Sequence, residues 1–318
     1  MKISSLVTGG AGFIGTHLCR RLLKENQLVI CLDNLSSGSE RNIEGMVDDE
    51  NFLFFKGDTK DETILQQIFS DYSIEAVYHL AAIVGVKKTL ENPLDVLEDV
   101  LGIRNLLRYS QKHGTDKFVY TSSSEVYGEP PEIPEKEEGL INPHTPYSAV
   151  KLLGEKYCEA YYEEFGLETT SLRLFNVYGP QQDSSPYGFV VGIFIEQVLD
   201  GKNLTIFGDG TQTRDFVFVE DTIEAIFLSS KTSKAAGKVI NIGTGRPVTI
   251  LDLAENIIRL MKKSDIQMEF RPLRKDEVKH RFPDVSKMKE ILNFNPRIGL
   301  NEGLQRTIEW YQNKTDFL

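Results

Sequence analysis

Residues 2–16, KISSLVTGGAGFIGT, constrain this chain more than any other stretch. Ile3, Leu6 and Val7 read as a short apolar strand, which runs directly into Gly9, Gly10, Gly12 and Gly15 and then into an amphipathic segment at 17–24. The order is strand, glycine turn, helix. Glycine at 9 and 10 permits a tight turn, at 12 it lets backbone approach a pyrophosphate, and at 15 it lets the helix pack closely on the strand. Phe13 and Ile14 then open a helix whose N-terminus offers unpaired N–H groups and a positive dipole end to phosphates. A second apolar run at 28–32 ends in Asp33, 21 residues after Gly12, where a carboxylate accepts both ribose hydroxyls of a dinucleotide. An acid there repels the extra phosphate of NADP, and 34–39, with Asn34, Ser37 and Gly38, holds no arginine to receive it, so the expected cofactor is NAD.

The alternation continues. A strand at 52–56 leads through Gly57 to Asp58, placed to touch the adenine, and a helix is expected at 62–69. A buried strand at 76–79 is followed by Leu80, Ala81 and Ala82, side chains small enough in the main to let a cofactor lie over the sheet. A long amphipathic helix is expected at 92–113, a fifth strand at 117–122, a helix at 147–165 and a sixth strand at 168–173, after a polar, proline-rich connection at 129–146. This rhythm predicts an α/β fold, a Rossmann-type doubly wound parallel sheet with helices on both faces and ligands at its carboxyl edge. From Asn176 the alternation fades into glycine and proline punctuation, with helices near 190–200, 249–262 and 285–292 and a strand at 238–242. The expected division is a dinucleotide-binding domain over 1–175, joined by a later strand near 215–242, and a smaller C-terminal cap over 176–318, interleaved with the first.

Composition narrows the partners. The net charge of -11, from 36 basic and 47 acidic residues, argues against a nucleic-acid surface, so an anionic ligand has to be met by local arginines. No run of 18 apolar residues occurs and the first strand starts at residue 2, which predicts a cytoplasmic protein with neither membrane span nor signal peptide. Cys19, Cys31 and Cys158 are odd in number and far apart in apolar contexts; they read as reduced core residues, and no metal site is expected.

Chemistry concentrates in 121–128, TSSSEVYG, and 147–151, YSAVK. Tyr147 and Lys151 lie four apart on an expected helix and share a face. A phenol is a poor base near neutrality because its pKa is about 10, but a lysine ammonium and the nicotinamide's positive charge favour phenolate. Tyr147 then serves as base, with Ser123, at the end of the fifth strand, bonded to the reacting hydroxyl.

With these pieces the chain resembles the extended short-chain dehydrogenase/reductase family of nucleotide-sugar epimerases and dehydratases along almost its whole length. The matching segments are TGGAGFIG at 8–15, DNLSSG at 33–38, HLAA at 79–82, SSSEVYG at 122–128, PYSAVK at 146–151, RLFNVYGP at 173–180 and GDGTQTRDFVFVED at 208–221. The resemblance implies a nucleotide-sugar cap, a hydride taken from sugar C4 by NAD, and a 4-keto intermediate. It puts Ser123, Tyr147 and Lys151 in the catalytic places and Asn176, Arg214 and Arg274 on the nucleotide diphosphate, which guanidinium groups grip bidentately.

The branch is read from fewer positions. Glu125 resembles 4,6-dehydratases and decarboxylases of uronic-acid nucleotides, where it acts near C5 and C6, but Ser124 stands where the common dehydratase pairs an aspartate with it. Ser124, Glu125 and Arg281 together resemble decarboxylases, and an arginine facing the sugar could hold a carboxylate. The segment 179–188 and DNLSSG look most like 4-epimerases, and epimerization asks least of the protein. The expectation is therefore a 4-epimerase of a neutral UDP-hexose or its N-acetyl form. The alternatives are a lyase using Glu125, a net reductase, and a non-catalytic NAD-binding scaffold, against which the intact Tyr147 and Lys151 speak. The apolar helices at 92–113 and 147–165 (Leu94, Leu97, Val100, Leu101; Leu152, Leu153, Tyr157, Tyr161) predict a homodimer through a four-helix contact, as the family commonly forms.

Overall fold

Seven strands carry the architecture of the computed structural model, which describes residues 4–84, 89, 91–185, 188–273 and 278–315. They are β1 (Ser4–Thr8), β2 (Leu28–Asp33), β3 (Phe52–Lys56), β4 (Ala76–His79), β5 (Lys117–Ser123), β6 (Glu168–Leu174) and β10 (Lys238–Ile242). Hydrogen bonding orders them β10-β6-β5-β4-β1-β2-β3, with every neighbouring pair parallel. From β1 the chain steps outward to β3 and then crosses to β4 on the other side. The crevice between the carboxyl ends of β1 and β4 is therefore the place where this topology receives a ligand.

Apolar residues line both faces of the sheet. Leu18, Leu22, Ile223 and Ile226 belong to the core on one side, while Leu65, Ile68, Leu106 and Cys158 belong to that on the other. Near-continuous apolar strands are what a sheet covered on both faces requires. The three cysteines are free and buried.

Two smaller sheets lie outside the parallel one, and the first of them borders the cleft. β7 (Asn176–Tyr178), β9 (Thr213–Phe218), β11 (Pro247–Thr249) and β13 (His280–Arg281) form one, and β8 (Leu204–Phe207) pairs with β12 (Met268–Arg271). Asp215, fully buried in β9, accepts from Thr244 N at 2.8 Å, Thr244 Oγ1 at 2.8 Å and Arg246 N at 2.9 Å, tying this sheet to the end of β10.

Two expectations change. The later strand near 215–242 is β9, then a helix at Val219–Lys231, then β10, and only β10 joins the parallel sheet. The single helix at 92–113 is two, Pro93–Leu97 and Asp99–His113. At the join Leu101 N bonds to Glu98 O at 2.9 Å, a tightened turn, and the Asp99 carboxylate accepts from Ile83 N at 2.8 Å, which anchors the second helix beneath the cleft. Among the described residues no helix is long and apolar enough to cross a membrane.

Candidate active site

A cavity of about 520 Å³ opens at the crevice between β1 and β4, within the size range of small-molecule sites. Its floor at one end is the glycine turn. Gly9 has φ +71°, a conformation L side chains rarely adopt, and a Cβ on Gly15 would lie 2.0 Å from Gly9 O, so the helix Phe13–Lys24 meets the turn at a distance only glycine permits. A Cβ on Gly12 would meet only Gly9 O, at 3.2 Å, and this residue walls the cavity with Phe13 and Ile14. The helix has no side-chain cap at its start and no acid in its first turn, which leaves its N–H groups to an anion.

Asp33 ends β2 at the cavity edge and is 6 % exposed. Its carboxylate accepts from Ala11 N at 3.0 Å and Leu35 N at 2.8 Å, which orients it while leaving acceptor capacity for a diol. Burial pushes its pKa up and those backbone bonds draw it back. Asn34, Ser37, Gly38 and Asp58 line the same end, with Asn34 Nδ2 donating to Asp58 Oδ2 at 2.9 Å. Leu80, Ala81 and Ala82 cross the middle. They are held from beneath by Thr8, whose Oγ1 accepts from Ala81 N at 3.3 Å and bonds His79 Nδ1 at 2.7 Å. The cradle, the free helix N-terminus and the oriented carboxylate fit a dinucleotide.

At the other end the helix Pro146–Phe165 presents Tyr147 and Lys151 to the cavity. Local sequence explains its placement. Thr145 and Ser148 form a capping box, Pro146 opens the first turn, and Gly154 lies so close to the Tyr120 ring that a Cβ there would be 2.4 Å from Tyr120 Cζ. This approach carries Lys151 Nζ to Thr121 O on β5, to which it donates at 2.8 Å. Burial pulls the lysine down to about 8, opposed by Asp99 and Glu155.

The same burial raises Tyr147 above its ordinary range. The Glu125 carboxyl adds to this, and a hydrogen bond with Ser123 opposes it. Lys151 lies 5.6 Å from the Tyr147 ring centroid. Burial thus favours the neutral phenol in the protein alone, and the case for phenolate rests on Lys151 together with the nicotinamide's charge.

Ser123 ends β5 and caps the 3-10 turn that holds Ser124 and Glu125, with Glu125 N donating to Ser123 Oγ at 3.2 Å. All three line the cavity, as do Asn176 and Arg281. Burial raises Glu125, while Arg281 and Arg214 pull it down. Arg281 Nη2 donates to Gly128 O at 3.1 Å, bridging the small sheet to the end of the turn. Arg214 does not wall the cavity. β13 pairs with β9 so that Arg281 and Arg214 are direct neighbours, and Arg214 Nη1 turns back to Thr213 O at 2.8 Å, leaving Arg281 at the wall. Arg274 lies outside the described residues.

Sequence reasoning missed several wall residues. Gln181 is delivered by a positive-φ turn (70°) and held by Arg20 Nη1 at 2.9 Å; Asp183, Phe189 and Asp99 also line the cavity. The sequence pointed to that loop through the resemblance of 179–188 to 4-epimerases, without assigning its residues to the site. A buried network also went unread: Arg173 on β6 makes a two-point bond to Glu155 (2.9 and 2.8 Å), Ser122 Oγ donates to Glu155 Oε1 at 2.5 Å, and Arg173 Nη1 donates to Tyr127 at 2.9 Å. It holds the end of β5, the serine turn and the helix Pro146–Phe165 in one arrangement.

Residues 5–243 match the model of a family described as the NAD dependent epimerase/dehydratase family. The chain belongs to that family. NAD is the cofactor of its members, and the cradle above fits it. The chain is similar, at 36 % identity over 98 % of its length and 99 % of the relative's, to a UDP-glucose 4-epimerase of Mycolicibacterium smegmatis. It is also 35 % identical, over 98 % of each chain, to a UDP-N-acetyl-alpha-D-glucosaminuronate decarboxylase of Bacillus cytotoxicus. Among solved structures it resembles a UDP-glucose 4-epimerase of Thermotoga maritima in complex with UDP-glucose, with TM-score 0.93, 36 % identity, 98 % of this chain and 100 % of that one covered. This NAD-dependent epimerase/dehydratase family member thus has relatives of more than one activity over nearly its full length.

Proposed function

We propose that this enzyme acts on a UDP-sugar bearing a carboxylate on C5, passing through a 4-keto stage and ending in decarboxylation. The observation that carries the reading is Arg281 on the cavity wall with its charge on Glu125, beside Ser124. A neutral hexose adds no charge for a cavity-facing guanidinium to meet, whereas a uronate can pair with it bidentately. This departs from the neutral UDP-hexose that the sequence favours.

NAD, when bound, supplies the acceptor and later the donor of hydride at sugar C4, and its nicotinamide charge offsets the burial that keeps Tyr147 neutral. Tyr147 takes the O4 proton, Ser123 holds that oxygen, and Lys151 holds the cofactor ribose. A C4 ketone makes the C5 carboxylate a β-keto acid. The C5–C6 bond breaks, its electron pair moves onto the C4 oxygen as an enolate, and carbon dioxide leaves. Glu125, whose carboxyl is raised by burial, returns a proton to C5. Asn176 and, by the family resemblance, Arg214 and Arg274 serve the diphosphate. The NAD-binding part is 1–175 with β10, and the cap is most of the remainder.

A second reading, 4-epimerization of a neutral UDP-hexose, is supported by the similarity to UDP-glucose 4-epimerases. Incubation with UDP-glucuronate, UDP-glucose and UDP-N-acetylglucosamine, with products followed by mass, separates the two. Loss of carbon dioxide is expected; an unchanged mass with a new C4 isomer overturns the first reading. Tyr147→Phe should end turnover in either case while nucleotide-sugar binding persists.

We infer also that two copies pair. Leu94, Leu97 and Leu101 are 75 %, 43 % and 37 % exposed, and Leu153 and Phe165 on the adjoining helix are exposed too, apolar surface suited to an isologous contact.

A further inference from the structure

Glu135 belongs to the connection between Gly128 and the helix Pro146–Phe165, does not wall the cavity, and is 2 % exposed. Its backbone is clamped to the strand that carries Arg281: Glu135 N donates to Phe282 O at 3.0 Å and Asp284 N donates to Glu135 O at 2.8 Å. Its side chain joins the clamp, because Oε2 accepts from Phe282 N at 2.7 Å. The other oxygen, Oε1, is buried with no hydrogen-bond partner, and so is Nε of Arg281. Each orphaned group is costly in a dry environment, and the Arg281 charge acts on the Glu135 carboxyl across the segments that these backbone bonds hold together.

We propose that Glu135 is the positioning residue for Arg281: ionised, it draws the guanidinium back from the sugar end of the cavity, and protonated, it releases that charge to a substrate carboxylate. The inference rests on the carboxylate-bearing substrate proposed above and adds a control that the sequence motifs do not contain. The groups facing Glu135 are Arg281 from β13 and Arg214 from β9, and Glu125 faces the same two arginines from the cavity side. Ionised, Glu135 offsets part of the Arg281 charge, and an anionic sugar gains less from it. With Glu135 neutral, positive charge is left over at the wall. Burial pushes the Glu135 carboxyl up to about 7, against the pull of Arg281, so the exchange falls in the physiological range.

The test is direct binding of UDP-glucuronate and of UDP-glucose to the NAD-loaded protein from about pH 6 to about pH 8.5, where neither ligand titrates, for the wild type and for Glu135→Gln. Glutamine keeps an acceptor for Phe282 N but has no charge. Wild-type affinity for UDP-glucuronate should fall about tenfold across the range, as one pH unit of coupling between the two sites dictates. Glu135→Gln should bind tightly and without that slope, with its KM following and kcat within about twofold of wild type, the split expected when only ground-state charge is altered. UDP-glucose should be insensitive to pH in both proteins. The same slope in Glu135→Gln overturns the role of Glu135. Failure to bind UDP-glucuronate at any pH overturns instead the substrate reading. Should Glu135→Gln not fold, the wild type decides alone: a UDP-glucuronate to UDP-glucose affinity ratio that does not change with pH removes the proposal.

Discussion

Lys151→Met should make the NAD-free protein more stable near neutrality while removing its activity. Lys151 is 5 % exposed, and burial brings its ammonium down from 10.5 to about 8. The folded value lies about 2.5 pH units below the unfolded one, and at 1.36 kcal/mol per unit the buried charge costs on the order of 3 kcal/mol when fully protonated. The hydrogen bond to Thr121 O returns about 1 kcal/mol, so the expected net gain from methionine is about 2 kcal/mol at pH 7. The sign follows from proton counts. Between about 8 and 10.5 the unfolded chain binds more protons than the folded one, so wild-type stability rises with pH there and the variant lacks that rise. Urea unfolding of both proteins at about pH 7 and about pH 10 measures it, and the other titrating groups cancel in the difference. The variant should lead at pH 7 and lose its lead by pH 10. Equal differences at the two pH values would refute the claim that the site holds its lysine against a desolvation cost. The expected pattern is the stability-for-activity exchange common at catalytic sites.

Gly15→Ala should abolish retention of NAD and lower the thermal midpoint, because its Cβ would lie 2.0 Å from Gly9 O and 2.7 Å from Gly10 Cα with only backbone to give way; nucleotide released on denaturation measures the first effect. Glu155→Gln leaves the Arg173 charge, 3 % exposed, without its counter-ion and should cost about 3–5 kcal/mol in urea unfolding, whereas Glu155→Leu with Arg173→Met should recover most of that. Recovery of no part of it would mean the pair is needed for packing rather than for charge balance. Replacing Leu97 and Phe165 together by glutamate should convert a dimer to a monomer in sedimentation without unfolding it, since both side chains are exposed in the single chain. An unchanged sedimentation coefficient would remove the helix face from the interface.

What the sequence determined by itself is local and periodic. The turn at Gly9 and Gly15, Asp33 at the end of β2, the four-residue spacing that sets Tyr147 and Lys151 on one helix face, and the parallel sheet of alternating strands and helices were all legible, because each depends on neighbours within a few turns of chain. The short strands of the cap were not, since elements such as the two-residue β13 carry no periodicity. Nor was the division of labour between Arg214 and Arg281, which look alike in sequence; it follows from the register of β13 on β9, which leaves one guanidinium on Thr213 O and sends the other to the cavity wall. Ionisation was likewise a tertiary matter. Tyr147 and Lys151 can be named from their spacing, but the dryness that raises one and lowers the other is made by β5, the Asp99 helix and the serine turn, which meet only in the folded chain. The same holds for Glu135, an unremarkable acid in a polar connection until folding lays it against the residues that follow Arg281 and closes off its water.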